Sequence, residues 1–358
     1  MRAFGVLCGV GSLLREAQDA GCEIVGNYEL RPQFRTARDL IWDRNFPNVP
    51  FLTGETTKFS SSLDIDLVLG HPPCGTHSTL GNSSARVDDM SDAQRARYHR
   101  RRANAQGMLP QFIATVNAIK PRVFMLDNLP KILTTSAPPD WWRAQLPSYR
   151  LTFITMMNWD FGTPQLRKRL WVVGVRRPLK AFEYRAPRKR LPGPKTALEA
   201  FDGLPWEPWR DLPELGHVHL APHRMLTGDY RTTVDGLNVQ RGAELALGFL
   251  SIAPDRAWPY KTRAGRIAVK IGRQRLDVAK YSRTITGLPS IHHPMTGWPL
   301  TARERARLMQ WPDDFAIGGA ERDAKRELMR LVFFTGKAVP SGFPRWIIPQ
   351  LLDHVGAK

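Results

Sequence analysis

Phe4-Gly5-Val6-Leu7-Cys8-Gly9-Val10-Gly11-Ser12 reads as a short buried strand, a glycine turn and the opening of a helix. The pattern repeats outward from there. Ser12 to Ala20 has helical spacing, and Glu23 to Glu29 has the length and composition of a second strand. Asp66-Leu67-Val68-Leu69-Gly70 is another short apolar strand, ending at a turn built from His71-Pro72-Pro73. A helix from about Asp92 to Ile119 leads into a strand at Lys120 to Leu126, and Leu170 to Val175 closes the series. Strands and helices that alternate in this way predict a doubly wound α/β domain. The apolar run after Met1-Arg2 also mimics a signal peptide. It contains Gly9 and Gly11, however, and flows into Arg15-Glu16 without a small-residue cleavage site, so a buried first strand is expected.

The chain has 358 residues, of which 42% are hydrophobic, enough to bury a core and to exclude wholesale disorder. No run of 18 apolar residues is present, so no membrane span is expected. Cys8, Cys22 and Cys74 are too few and too scattered for a disulfide framework or a zinc site, which points to a reducing, intracellular setting. The net charge of +19 favours a polyanionic partner. Basic clusters at His99 to Arg102, Arg167 to Arg169, Arg185 to Arg190 and Arg263 to Arg275 make nucleic acid the leading class. From Arg176 to Lys280, Pro, Gly, Trp and Arg become frequent and helical periodicity fades; after Tyr281 regular pattern returns, with helices at Thr301 to Gln310 and Glu321 to Phe334. The expected layout is a catalytic body of residues 1–175 and 281–358, interrupted by an irregular insert at 176–280.

Gly9-Val10-Gly11 lets a ligand approach the backbone closely, and an acid ending the next strand, Glu29, suits ribose hydroxyls. The turn alone does not separate dinucleotides from S-adenosylmethionine. In Gly70-His71-Pro72-Pro73-Cys74 two prolines stiffen a loop leaving a strand, where open α/β sheets place their sites. Cys74 there is either a buried structural thiol or, with a lowered pKa, a nucleophile.

Three further segments decide between these. They are Phe124-Met125-Leu126-Asp127-Asn128-Leu129-Pro130, Phe161-Gly162-Thr163-Pro164-Gln165-Leu166-Arg167-Lys168-Arg169, and Gly336-Lys337-Ala338-Val339-Pro340. Together with the Pro-Pro-Cys loop, Thr284-Ile285-Thr286 and the block from Leu300 to Phe315, their order and spacing resemble the DNA cytosine-5 methyltransferase family. The resemblance runs from the start of the chain to Ile348, apart from the insert. It implies a doubly wound, Rossmann-like S-adenosylmethionine-dependent methyltransferase fold, with the insert as the target recognition domain.

The resemblance also implies a mechanism. Cys74 matches the thiolate that adds to C6 of a flipped cytosine, making C5 nucleophilic. Asp127 matches the strand-end acid near N3, with a strand cap as its alternative role. Arg169, with Arg167 and Gln165, matches the group that grips O2, with a phosphate contact as the alternative. Residues 75 to about 92 match a mobile catalytic loop. Leu7, Cys8, Gly9 and Gly11 match the methionine-binding turn, Glu29 the ribose acceptor and Glu55 an acid near the adenine amine, while Pro72, Lys337 and Val339 line the donor. Trp206, Trp209, Arg231, Arg263, Arg266 and Arg273 are candidate DNA contacts in the insert. The partner implied is double-stranded DNA, with no metal and no membrane, acted on by a monomer in the cytoplasm of a bacterium or phage-infected host.

The chain departs from the family at several of these positions. The usual Glu of the strand-end motif is Asp127, one methylene shorter, and the Val after it is Leu129. The Gln after the nucleophile is Gly75, the usual Phe-Ser is His77-Ser78, and the aromatic of the first motif is Leu7. The Asn of the C-terminal Gly-Asn-Ala-Val-Pro is Lys337. A cation beside a sulfonium is unfavourable. A donor carrying a carboxylate, carboxy-S-adenosylmethionine, would remove that conflict, and a charged hydrogen bond to it contributes roughly 1.5–3 kcal/mol. The alternative is that Lys337 turns outward to a DNA phosphate or a neighbouring acid. The expected activity is therefore transfer of a methyl or carboxymethyl group to cytosine C5. The other classes are a tRNA cytosine-5 methyltransferase, which the sizeable insert disfavours, and a non-catalytic base-flipping binder, which Cys74 disfavours. A restriction partner or a phage genome modifier fits the compact size.

Overall fold

The first strand, β1, is Arg2–Val6, followed by β2 (Glu23–Glu29), β3 (Phe51–Thr53), β4 (Leu67–Gly70), β5 (Val123–Asn128), β6 (Tyr149–Met157), β7 (Gln165–Leu166) and β8 (Lys168–Arg176). The computed structural model describes residues 1–31, 34, 37–53, 64–73, 91–204, 258–261, 267–270, 274–287, 291–295, 300–318 and 324–356. Seven of these strands build one sheet in the order β3-β2-β1-β4-β5-β8-β6. The five from β3 to β5 pair in parallel, and β8 runs antiparallel to both β5 and β6.

Both faces of the sheet are covered, which is why its central strands read as unbroken apolar runs. Ala3, Leu67, Leu69, Val123, Met125, Trp171 and Val173 point to one face. There they meet Leu13 and Ala17 of the helix Ser12–Asp19 and Phe343 and Ile347 of the helix Gly342–His354. The alternate residues Phe4, Val68, Phe124, Leu126 and Val172 pack under Phe112 and Val116 of the helix Asp92–Ile119. The doubly wound α/β fold inferred from the alternation is the fold observed.

Element ends differ from expectation for local reasons. β1 stops at Val6 rather than Cys8 because Leu7 takes a left-handed φ of 62° and turns the chain. β5 starts at Val123 because Lys120, at φ 55°, closes the preceding helix; it then runs on through Asp127 to Asn128. The helix expected from Thr301 is Ala302–Leu308. Thr301 caps it, its side chain accepting from the Glu304 backbone while the Glu304 carboxylate accepts from the Thr301 backbone. The helix Ala324–Lys337 runs three residues past its expected end at Phe334, and the expected start at Glu321 lies outside the described residues.

The residues that follow β8 pack against the body. Phe182 is buried in the main core, its carbonyl accepting from Thr152 Oγ1 at 2.9 Å, and the Arg185 carbonyl accepts from Trp346 Nε1. The segment after β8 thus covers edge strand β6. Beyond it, Trp258–Lys261 and Ile267–Lys270 pair antiparallel.

Candidate active site

Strands β2, β1, β4 and β5 end at the same edge of the sheet. Val6 pairs with Tyr28 and Gly70, and Gly70 with Leu126. Carried one residue further, these registers set Glu29, Leu7, His71 and Asp127 in a row. Strand order reverses between β1 and β4, and the crevice outside such a reversal is where open α/β sheets bind ligands.

Asp127 and Arg169 form the charged centre of that row. Trp171 pairs with Asp127 across the antiparallel β5–β8 ladder, so Arg169, two residues earlier in β8, projects from the same face. Arg169 Nε donates to Asp127 Oδ1 at 2.8 Å and Nη2 to Oδ2 at 2.5 Å, with Asp127 fully buried and Arg169 nearly so. A bidentate pair of this kind fixes the carboxylate plane as well as its charge. His71 Nε2 lies 3.4 Å from Asp127 Oδ2 and 3.5 Å from Arg169 Nη2. Burial, and then the charges of Arg169, Arg31, Arg167 and Lys337, hold the His71 pKa well below the usual imidazole range, so the ring is neutral at pH 7.

The glycine turn forms the other half of the crevice. Gly9 (φ 61°) and Gly11 (φ 90°) both need the left-handed region. A Cβ on Gly9 would lie 2.8 Å from the Phe34 ring, and one on Gly11 2.5 Å from the Phe46 ring. This bare backbone fits the close approach that S-adenosylmethionine requires. Cys8 is a packed thiol: Sγ lies 3.2 Å from the Leu69 carbonyl, and burial pushes its pKa to about 12.

Glu29 is more heavily engaged than expected for a ribose acceptor. It accepts from Gly9 N at 3.1 Å, from Arg31 N at 2.9 Å, and from Arg31 Nε and Nη2 at 2.7 and 2.5 Å. Arg31 also donates to the Leu7 carbonyl and stacks on Phe34 at 4.0 Å. Sequence reading missed Arg31, although an acid and an arginine at a strand end, Glu29-Leu30-Arg31, were there to be seen.

Gln165 and Arg167 were expected beside Arg169 in the chemistry, but their side chains bond to backbone elsewhere. Gln165 Nε2 donates to the Leu308 carbonyl, and its Oε1 accepts from Ile285 N, both at 3.2 Å. Arg167 donates to the carbonyls of Ile285 and Ala338. The Val339 carbonyl accepts from Ser12 Oγ and Trp311 Nε1. These bonds join the Thr284-Ile285-Thr286 segment, the Gly336 to Pro340 loop and the helix Ala302–Leu308 to the body. Arg305, also missed, donates to the Thr286 carbonyl from a site where burial lowers its pKa to about 9.

Lys337 is exposed at the end of its helix, with its stem over Gly287, where an added Cβ would lie 3.1 Å from Lys337 Cε. Pro72 is buried behind His71. Cys74, Glu55, Trp206, Trp209, Arg231, Arg263, Arg266 and Arg273 lie outside the described residues. Among the described residues no group of three or more His, Cys, Asp or Glu is placed to hold a metal ion. No described helix is long and apolar enough to cross a membrane.

Residues 1–351 match the family of C-5 cytosine-specific DNA methylases. The chain belongs to that family. Type II methyltransferase M.SacI of Streptomyces achromogenes is 27% identical, over 97% of this chain and 86% of its own length. Type II methyltransferase M.XorII of Xanthomonas oryzae pv. oryzae is 24% identical, over 100% of this chain and 86% of its own. The fold is shared with a protein described as a DNA modification methyltransferase encoded within an E. coli prophage (TM-score 0.64, 18% identity, 99% of each chain). It is also shared with the Entamoeba histolytica methyltransferase EhMeth (TM-score 0.56, 13% identity, 100% of this chain and 98% of that one).

Proposed function

We propose that this methylase takes a cytosine out of duplex DNA, adds Cys74 to C6 and directs a one-carbon group to C5. The observation that carries the reading is the buried Asp127–Arg169 pair, placed beside the strand end from which the Cys74 loop departs. The Cys74 thiolate adds to C6, and Asp127, carrying a proton for this step, shares it with N3, where negative charge builds as sulfur adds. Arg169 keeps the Asp127 carboxyl in one plane while this happens. S-adenosylmethionine held at the glycine turn would supply the electrophilic methyl group and leave as the thioether; loss of the C5 proton to a base then expels the Cys74 thiolate from C6.

Duplex DNA as substrate is supported by the net charge of +19 and by the type II methyltransferases the chain is similar to. Lys337 supports a finer reading, in which the group transferred is carboxymethyl and the donor is carboxy-S-adenosylmethionine. Its ammonium has no hydrogen-bond or ion-pair partner among the described residues. It also lies close enough to His71 to lower that imidazole's pKa. Such a cation at the donor end of the site favours a carboxylate over a bare sulfonium.

A duplex bearing 5-fluorodeoxycytidine at the target position tests the chemistry. Fluorine cannot leave as a proton does, so the protein should remain bonded to DNA through Cys74. The adduct should be absent with Cys74→Ser. A protein that binds and flips the base without forming any adduct would be a binder, not a transferase.

A further inference from the structure

We propose that His71 is a positioning residue of the transfer reaction: its imidazole fills the space left by shortening the expected glutamate to Asp127, and it fixes the carboxyl that acts on the base. The proposal rests on the cytosine-transfer reading above. His71 and Asp127 are next to each other in the row that ends the parallel strands, on the face that carries Leu69 and Met125. The ring is 3% exposed and Asp127 0%, so no bulk water separates them. Nε2 faces Asp127 Oδ2 at 3.4 Å and Arg169 Nη2 at 3.5 Å. In the Nε2–H tautomer the ring presents its N–H within ion-pair distance of Asp127 Oδ2; in the other it accepts from Arg169. Each tautomer adds a contact to the buried Asp127–Arg169 pair, beside the carboxylate in the first and through the guanidinium in the second.

Sequence and backbone make the ring a rigid support. Pro72 follows it, and a residue before proline is held to extended conformations. The His71 amide donates to the Val6 carbonyl at 3.3 Å, continuing the sheet for one more residue. The charged groups around the ring come from every neighbouring element: Asp127 from β5, Arg169 from β8, Arg167 from the β7–β8 junction, Arg31 from the end of β2, and Lys337 from the C-terminal end of its helix. A charge on the imidazole would be repelled by four of these five, so the ring works as a neutral polar wedge. An apolar side chain would fill the volume equally well, but it would remove the polar contact with the Asp127–Arg169 pair.

The test is a double-mutant cycle on transfer to duplex DNA, with DNA affinity and thermal stability measured on each protein. Asp127→Glu pushes the carboxylate into the His71 ring, and His71→Ala withdraws the wedge. Each should lower kcat by about tenfold or more and leave DNA affinity unchanged. In the double variant the longer acid should occupy the vacated space and bring kcat back to within a few-fold of the unmutated protein. Single losses that simply multiply in the double variant would overturn the proposal.

A second pair guards against a folding effect. His71→Gln, which keeps an N–H donor, should retain clearly more turnover than His71→Leu at equal thermal stability. Equal turnover of the two would show a filler and overturn the proposal. The unmutated protein is assayed alongside for the 5-fluorocytosine adduct. Failure to form it removes the transfer reading and His71's role with it, whereas adduct formation with multiplying losses removes the role alone.

Discussion

Arg169 grips both carboxylate oxygens of Asp127, at 2.8 and 2.5 Å, across the antiparallel pair of β5 and the inverted strand β8. Because β8 runs against β5, its first residues lie at the edge where the parallel strands finish. An arginine early in one strand therefore meets an acid late in another. The inversion of β8 is what makes the site.

Removing one partner of a buried pair leaves an uncompensated charge, which typically costs about 3–5 kcal/mol. Arg169→Ala should lower the melting temperature by several degrees and abolish transfer. Arg169→Lys should restore part of the stability but little of the activity, because an ammonium lacks the two-pronged geometry. Thermal unfolding and turnover on the same two variants check this.

His71 predicts a pH dependence of stability. An imidazole in the unfolded chain takes up a proton near its ordinary pKa of 6.5, whereas buried His71 resists protonation until well below it. Between those two values the unfolded state binds more protons, so stability drops as pH falls through that window. His71→Gln removes this contribution, and its melting temperature should fall less than that of the unmutated protein between pH 7 and pH 5. Parallel curves for the two proteins would place the neutral ring elsewhere.

Lys337 predicts a donor preference. Lys337→Asn should weaken binding of carboxy-S-adenosylmethionine, and keep or strengthen binding of S-adenosylmethionine, when both are measured by calorimetry without DNA. The transfer ratio should move the same way, by roughly tenfold or more. A lysine that serves only DNA phosphate would leave both donor affinities unchanged and weaken DNA binding instead.

The alternation from Phe4 to Gly70 made β1, β2 and β4 legible, because buried strands and an amphipathic helix write different periods into sequence, whereas the three residues of β3 are too few to show one. The acid at Asp127 was legible from a motif, and so was Arg169. The partners of Gln165 and Arg167 were not. Both lie in a motif that also holds Arg169, yet their bonds reach backbone at Ile285, Leu308 and Ala338, distances in sequence that no local pattern encodes. β6 and the helix Gly342–His354 escaped notice for a different reason. β6 is an edge strand of mixed burial, and that helix carries Pro344 and Pro349, which read as breakers. The engagement of Glu29 by Arg31 also depends on how the chain turns after β2, which its residue types alone do not specify.

A net charge of +19 predicts that duplex binding falls steeply with salt, as Lys and Arg release counterions from phosphates. Titrations from low to moderate salt should give a log–log slope corresponding to several phosphate contacts. A flat response would exclude the polyanion as substrate.

The most direct measurement is mass spectrometry of nucleosides from duplex DNA incubated with the protein and either donor. The account predicts deoxycytidine modified at C5, as 5-methyl with S-adenosylmethionine or 5-carboxymethyl with its carboxylated form, and none with Cys74→Ser. Unmodified cytosine with both donors, under conditions where the protein binds the duplex, would contradict it, as would modification of the exocyclic amine.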